Sequence, residues 1–224
     1  MSSVIGAVQA GGDARPLVIL VHGLWMSGLE LGIIKRRLEA GQLRAVIFSY
    51  PTLRGSMREH ARSLLRFARA QRAQTLHFIG HSLGGLVILR ALESEDLTPG
   101  RVVLMGTPSQ GSRAAREIAR RLPFGRRILG PALYQECIEP ADIPPRQWSG
   151  HREVGVIAGS MRLGLGRLFA GLEGEHDGTV RVEETRLPGA KDHIVIATSH
   201  TGMLLSAEAL QQAVHFLRMG TFQR

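Results

Sequence analysis

The sequence predicts an α/β fold, a mostly parallel sheet of about six strands with helices on both faces, and three observations carry that reading. Six short runs rich in valine, isoleucine and leucine, at 17–21, 45–48, 76–79, 102–105, 154–158 and 194–197, are too continuous in apolar character for strands with one wet face. Stretches of helical period, at 29–38, 57–70, 83–93, 114–122 and 206–216, fall between and after them. The alternation of the two kinds is the mark of a parallel sheet whose crossovers are helices. Reacting groups of such a sheet belong in loops at the carboxyl ends of its strands.

Composition bounds what this fold does. A chain of 224 residues suits one domain, 1–224, and buries enough surface for a large core without covalent staples. Its single cysteine, Cys137, rules out an intrachain disulfide, and the opening Met1-Ser2-Ser3-Val4-Ile5-Gly6 lacks the basic and apolar regions of a secretion signal. The expected location is the cytoplasm. No apolar stretch approaches the ~20 residues that cross a bilayer. The net charge of +9 is almost wholly arginine, since Lys35 and Lys191 are the only lysines. Arg54, Arg58, Arg62, Arg66 and Arg69 recur at helical spacing, and Arg113, Arg116, Arg120, Arg121, Arg126 and Arg127 crowd a second segment. The plain reading is solvated helix faces; the sharper one is weak peripheral attraction to anionic membranes or anionic substrates. Nucleic acid is not an expected partner, because stacking aromatics are not interleaved with the cations. Nothing in the pattern sets an oligomeric state.

Taken in chain order, residues 1–14 read as an irregular lead into the first strand. That strand runs into His22-Gly23-Leu24-Trp25, a loop placed to offer a main-chain N–H, the expected donor being that of Leu24. Trp25 and Met26 are candidates for lining an apolar acyl pocket, with core packing as the plainer alternative. The third strand leads into Gly80-His81-Ser82-Leu83-Gly84-Gly85 and then a helix. A strand, a glycine-flanked serine and a helix make a nucleophile elbow: the turn is so sharp that side chains two positions either side of Ser82 would collide. The pattern alone is weak, and the flanking elements give it weight. Leu83, at the helix start, offers a second N–H for an oxyanion.

A serine hydroxyl needs a base poised near neutrality and a group to orient it. Of nine histidines, His200 lies just past the last strand, where a loop reaches over the elbow, and is the expected general base. His193 sits at the start of that strand, the wrong end. His81 and His22 read as loop supports, and His60, His77, His151, His176 and His215 as surface or packing; their spacing gives no metal pair. The orienting acid should follow a strand between serine and histidine. After 102–105 come Gly106-Thr107-Pro108 and no acid until Glu117, so Asp177, in an aspartate-glycine turn, is preferred over Asp142, Glu173, Glu175 and Asp192. Cys137 reads as a buried apolar side chain rather than a nucleophile. The proline-bearing segment 125–150 and the Gly/Leu-rich 162–174 read as connecting loops or a short lid.

These pieces, Val21-His22-Gly23-Leu24, the elbow, Gly106-Thr107-Pro108 with Gly111-Ser112, Asp177-Gly178-Thr179-Val180 and Ser199-His200, occur in an order that resembles the lipase and esterase branch of the α/β-hydrolase family. The resemblance spans most of 17–217 and is nearest to small bacterial triacylglycerol-lipase relatives. It implies an α/β-hydrolase fold with a minimal lid, a Ser82–Asp177–His200 triad, and hydrolysis of small-molecule or lipid esters without a cofactor. The absent secretion signal and disulfide favour a small intracellular esterase. Acyl transfer, or cleavage of thioesters or amides, would use the same triad. A non-catalytic binding or membrane-surface protein on this fold is the reading from another class.

Overall fold

The computed structural model describes residues 14–94, 97–138, 146–163 and 172–224. Residues 1–13 of the lead segment, and 139–145 and 164–171 of the two expected connections, lie outside the described residues.

Six strands, β1 (Leu17–Val21), β2 (Arg44–Phe48), β3 (Leu76–His81), β4 (Val102–Met105), β5 (Val154–Gly159) and β6 (Asp192–Ile196), form one sheet. Its order is β2-β1-β3-β4-β5-β6, and every neighbouring pair is parallel. The four inner strands are buried at every position, while the edges β2 and β6 are only partly buried. Period-two geometry sends successive side chains to opposite faces and so divides the core. Leu17, Ile19, Val21, Phe78, Leu104 and Val156 join one cluster, and Val18, Leu20, Ile79, Val103, Met105 and Ile157 join the other.

On the first face lie α2 (Met57–Ala70), α3 (Leu83–Ser94), α4 (Arg113–Arg121) and α5 (Gly125–Cys137), through residues such as Leu64, Leu86, Ala115 and Leu129. On the second lie α1 (Gly32–Ala40) and the last helix, α7 (Ala207–Met219), through Ile34, Leu38, Ala213 and Phe216. A single turn, α6 (Val182–Thr185), precedes β6. Several starts are fixed by hydroxyl caps. Ser56 and Glu59 form a reciprocal capping box on α2, Ser112 accepts from the Ala115 N–H, and Ser206 from that of Ala209.

The structure departs from the sequence reading at three places. Most of the described part of 125–150 is helix α5 rather than an irregular connection. Gly130, with φ of 73°, kinks it, and Pro131 opens the continuation, where a missing N–H costs nothing. Leu129, Ala132, Leu133 and Cys137 thereby enter the core. The expected helix 29–38 is a 3-10 turn, Leu29–Leu31, followed by α1. Finally, β6 begins at Asp192 and not 194, since Asp192 already pairs with Gly155 of β5; its carboxylate anchors the C-terminal tail through the Phe222 N–H at 2.8 Å and Arg224 at 2.5 Å.

At the amino ends of the strands His77 is buried, its Nδ1 accepting the Arg101 N–H at 2.8 Å. Burial, reinforced by the Arg101 and Arg152 charges, pushes its pKa down to about 4. The unfolded chain therefore binds a proton near pH 6.5 that the folded one refuses, so stability falls as pH drops from ordinary histidine values towards 4. This residue alone is expected to remove roughly 2–3 kcal/mol across that window. Urea midpoints should fall between pH 7 and pH 5, and His77→Gln should flatten the slope; an equal slope in the variant contradicts the assignment.

Candidate active site

Four loops at the carboxyl ends of the strands meet at one rim. Ser82 stands between β3 and α3 with φ of 54°, a left-handed backbone rare for a non-glycine residue. The strain is held from several sides. The Ser82 N–H donates to the carbonyl of Met105 at the end of β4 (2.9 Å), and the Gly85 N–H donates to the Ser82 carbonyl (3.0 Å). A Cβ at Gly80 would lie 2.6 Å from the Gly85 Cα, and one at Gly84 would lie 2.2 Å from the Val21 carbonyl oxygen. Only glycine fits at either position, as the elbow reading required.

Asp177 and His200, 23 positions apart in the chain, are joined twice. The His200 N–H donates to the Asp177 carbonyl at 2.9 Å, and Nδ1 lies 2.7 Å from Asp177 Oδ2. Asp177 is fully buried, and its other oxygen, Oδ1, accepts the N–H groups of Thr179 (2.9 Å) and Val180 (2.7 Å). Burial works to raise this carboxyl, but the His200 charge and hydrogen bond, with the two amides, prevail and hold it below the usual aspartate range. A carboxylate facing Nδ1 requires a proton there, so Nε2 is left with the lone pair.

His81 links this pair to the elbow. Its ring lies 4.7 Å from that of His200, and its Nε2–H donates to the His200 carbonyl at 2.9 Å. Burial, with the nearby His200 charge, pushes its pKa down to about 3, so it stays neutral beside His200. Gly106, with φ of 59°, clears the ground under the pair: a Cβ there would lie 3.0 Å from His200 Nδ1 and 3.2 Å from Asp177 Oδ2.

The loop after β1 approaches from the other side, where a Cβ at Gly23 would lie 3.0 Å from the Ser82 Cβ. His22 shapes this loop. Its Nδ1–H donates to the Gly23 carbonyl (3.1 Å) and its Nε2 accepts from the Tyr50 N–H (3.3 Å), while the Tyr50 hydroxyl donates to the His22 carbonyl (2.9 Å). The two rings stack at 4.6 Å, and burial lowers the His22 pKa, which keeps the imidazole in this bonding state. Leu24 is half-buried against the first core cluster. Trp25, itself left-handed at φ of 59°, is half exposed; its main-chain N–H donates to Thr52 Oγ1 (3.2 Å) and its indole to the Ile128 carbonyl in α5 (2.9 Å). Met26 packs against the second cluster. Leu83 is buried at the first position of α3, where a main-chain N–H has no acceptor within its helix.

The remaining sequence candidates have other occupations. Asp192 anchors the tail, Glu173 and Glu175 are exposed, and Asp142 lies outside the described residues. His193 bonds the Thr185 hydroxyl at 3.0 Å, and His176 Nδ1 accepts the Gly178 N–H at 3.0 Å within the aspartate turn. Among the described residues no group of three or more His, Cys, Asp or Glu side chains is arranged to hold a metal ion. Three participants escaped sequence reasoning. Tyr50 and Thr52 brace the loop after β1 from the loop after β2, a contact with no local signal. Buried Glu184 accepts the N–H groups of Arg113 (2.6 Å) and Arg181 (2.9 Å), so one carboxylate serves the starts of α4 and α6.

A family model described as the alpha/beta hydrolase family matches residues 18–194. No curated protein sequence matches the chain. Among solved structures, the mature form of the Bacillus licheniformis lipase BlEst2 superposes with a TM-score of 0.69 at 20% identity, over 96% of this chain and 95% of that one. A metagenomic carboxyl esterase, MGS0156, gives a TM-score of 0.62 at 18% identity over 84% of this chain and 65% of its own. The carboxylesterase CesB of Bacillus subtilis gives 0.58 at 16% identity, over 94% and 86% respectively.

Proposed function

The chain belongs to the alpha/beta hydrolase family, and from that premise we propose that it is a serine hydrolase that cleaves carboxylic esters. The observation that carries the reading is the buried Asp177–His200 pair, bonded at 2.7 Å and attached through His81 to the strained elbow that holds Ser82. A structural ion pair would need no left-handed serine beside it. The lipase and carboxylesterases with this fold agree with the reaction class.

In this mechanism His200 Nε2 takes the proton of the Ser82 hydroxyl as Oγ attacks the ester carbonyl carbon. The Asp177 carboxylate keeps the Nδ1–H tautomer and stabilises the imidazolium that forms. The N–H groups of Leu83 and Leu24 receive the developing oxyanion, with the α3 dipole favouring charge at the same point. The tetrahedral intermediate collapses, His200 returns the proton to the leaving alcohol, and an acyl-Ser82 remains. Water, deprotonated by His200, then releases the acid and restores the serine. Trp25 forms an apolar wall for the acyl chain, and Met26, packed against the second core cluster, extends it. The cytoplasm suits a chain whose one cysteine is buried, its thiol pushed up to about 12 by desolvation.

Saturable release of p-nitrophenol from p-nitrophenyl acetate and butyrate is the expected behaviour, with an optimum acyl length that reports the depth beside Trp25. Release no faster than in buffer across a graded acyl series would reject ester hydrolysis.

A further inference from the structure

We infer that the face formed by the loop after β1, the loop after β2 and the first half of α5 is a docking surface for anionic phospholipid bilayers. Four large apolar side chains are exposed there: Trp25 (50%), Leu53 (45%), Phe124 (78%) and Ile128 (36%). They are contiguous. The Trp25 indole bonds the Ile128 carbonyl at 2.9 Å, and the Ile128 N–H bonds the Phe124 carbonyl at 3.0 Å. A Cβ at Gly130 would lie 3.0 Å from the Leu53 Cα, so the kink of α5 presses against the loop that carries Leu53.

The two rings are held outwards by backbone that works against them. Trp25 and Phe124 both take left-handed conformations, at φ of 59° and 64°, which bulky residues rarely adopt. At Phe124 this conformation starts α5 without any side-chain cap and leaves the ring in solvent. The Phe124 ring, 78% exposed on a backbone that disfavours it, points to a gain outside the molecule.

Charge selects the partner. Residues 113–138 hold six arginines against two glutamates, so this short stretch carries four of the chain's nine excess positive charges. Both glutamates are already matched, Glu117 by Arg120 (2.8 Å) and Arg121 (2.7 Å), and Glu136 by Arg146. Arg54 flanks Leu53, and Arg126 and Arg127 lie between Phe124 and Ile128, all exposed. Aromatic rings at headgroup depth with arginines around them match an anionic lipid surface better than a protein groove or a soluble anion. Among the described residues no helix is long and apolar enough to cross a membrane. Trp25 follows Leu24 directly, and docking on this face therefore presents the rim that carries Ser82 to the lipid. The inference needs no turnover and stands apart from the ester-cleavage reading.

Co-sedimentation of the whole chain with vesicles of about one-third phosphatidylglycerol in phosphatidylcholine tests it. Binding is expected to these vesicles, to weaken in high salt, and to be far weaker on pure phosphatidylcholine. The double variant Arg126→Glu/Arg127→Glu should weaken it at least about tenfold, and Phe124→Ser several-fold. Circular dichroism and p-nitrophenyl butyrate turnover in both variants should match the parent, which separates loss of docking from loss of fold. The Ser82→Ala protein should still bind. No binding to anionic vesicles, equal binding by the variants, or tighter binding to a soluble oligonucleotide or heparin than to vesicles would each overturn the inference.

Discussion

Replacing Ser82 with alanine is expected to lower kcat for p-nitrophenyl butyrate by about 10⁴-fold or more while leaving the protein folded. The residue is half-buried and contributes one hydroxyl; its backbone contacts, to Met105 and Gly85, are made by main-chain atoms that alanine keeps. Both residues bear the same penalty at φ of 54°, so the melting temperature should move by no more than about two degrees. What survives is the rate given by oxyanion donors acting on attack by water, a small residue of the whole. Turnover in the alanine variant within tenfold of the parent would remove Ser82 from the mechanism.

The second large effect is expected at Asp177. The surroundings of its carboxylate fix what an asparagine must do there. Oδ1 receives two amides, from Thr179 and Val180, so an asparagine would place its carbonyl oxygen at that point and turn its NH₂ towards His200 Nδ1. An NH₂ facing Nδ1 forces that nitrogen to accept, which moves the ring proton to Nε2, the atom that must take the serine proton. Asp177→Asn should therefore lower kcat by on the order of 10⁴-fold with KM little changed, a loss of base function rather than binding. Asp192→Asn is the matching control. Its carboxylate holds the C-terminal tail, and the folded fraction of that variant should turn over like the parent. Comparable kcat in both asparagine variants would place the orienting acid elsewhere.

The same geometry gives Asp177 a part in stability. Its carboxyl is held below the ordinary range, so the unfolded chain takes up its proton at higher pH than the folded one. The contribution is complete at neutral pH and is lost as pH falls through the folded value, in the same direction as the loss expected at His77.

The inner strands were legible because burial on both faces leaves an unbroken aliphatic run such as Leu17–Val21, a signal that survives without knowledge of neighbours. The elbow was legible for a related reason. Its glycines stand at fixed offsets from Ser82 that are visible in sequence, although of the clashes that demand them only that of Gly80 with Gly85 is local, while Gly84 answers to the Val21 carbonyl of β1. Asp177 and His200 followed from their position after strands, although only the structure pairs them through Oδ2 and Nδ1. Helix α5 was hidden by Gly130 and Pro131, which punctuate a sequence pattern yet here meet at a kink seated on the Thr52–Leu53 backbone. The bracing of His22 by Tyr50 joins residues 28 positions apart with no periodicity between them. The start of β6 follows from the pairing of Asp192 with Gly155 of β5, a long-range contact that no local rule anticipates.

A crystal structure of the protein after reaction with an alkyl fluorophosphonate tests the central claim most directly. The account predicts a phosphorus bonded to Ser82 Oγ, a phosphoryl oxygen within about 3 Å of the Leu24 and Leu83 nitrogens, and His200 Nε2 facing the adduct with Nδ1 still on Asp177. An adduct on another residue, or an unmodified Ser82 with the His200 imidazole turned away from it, would contradict the account.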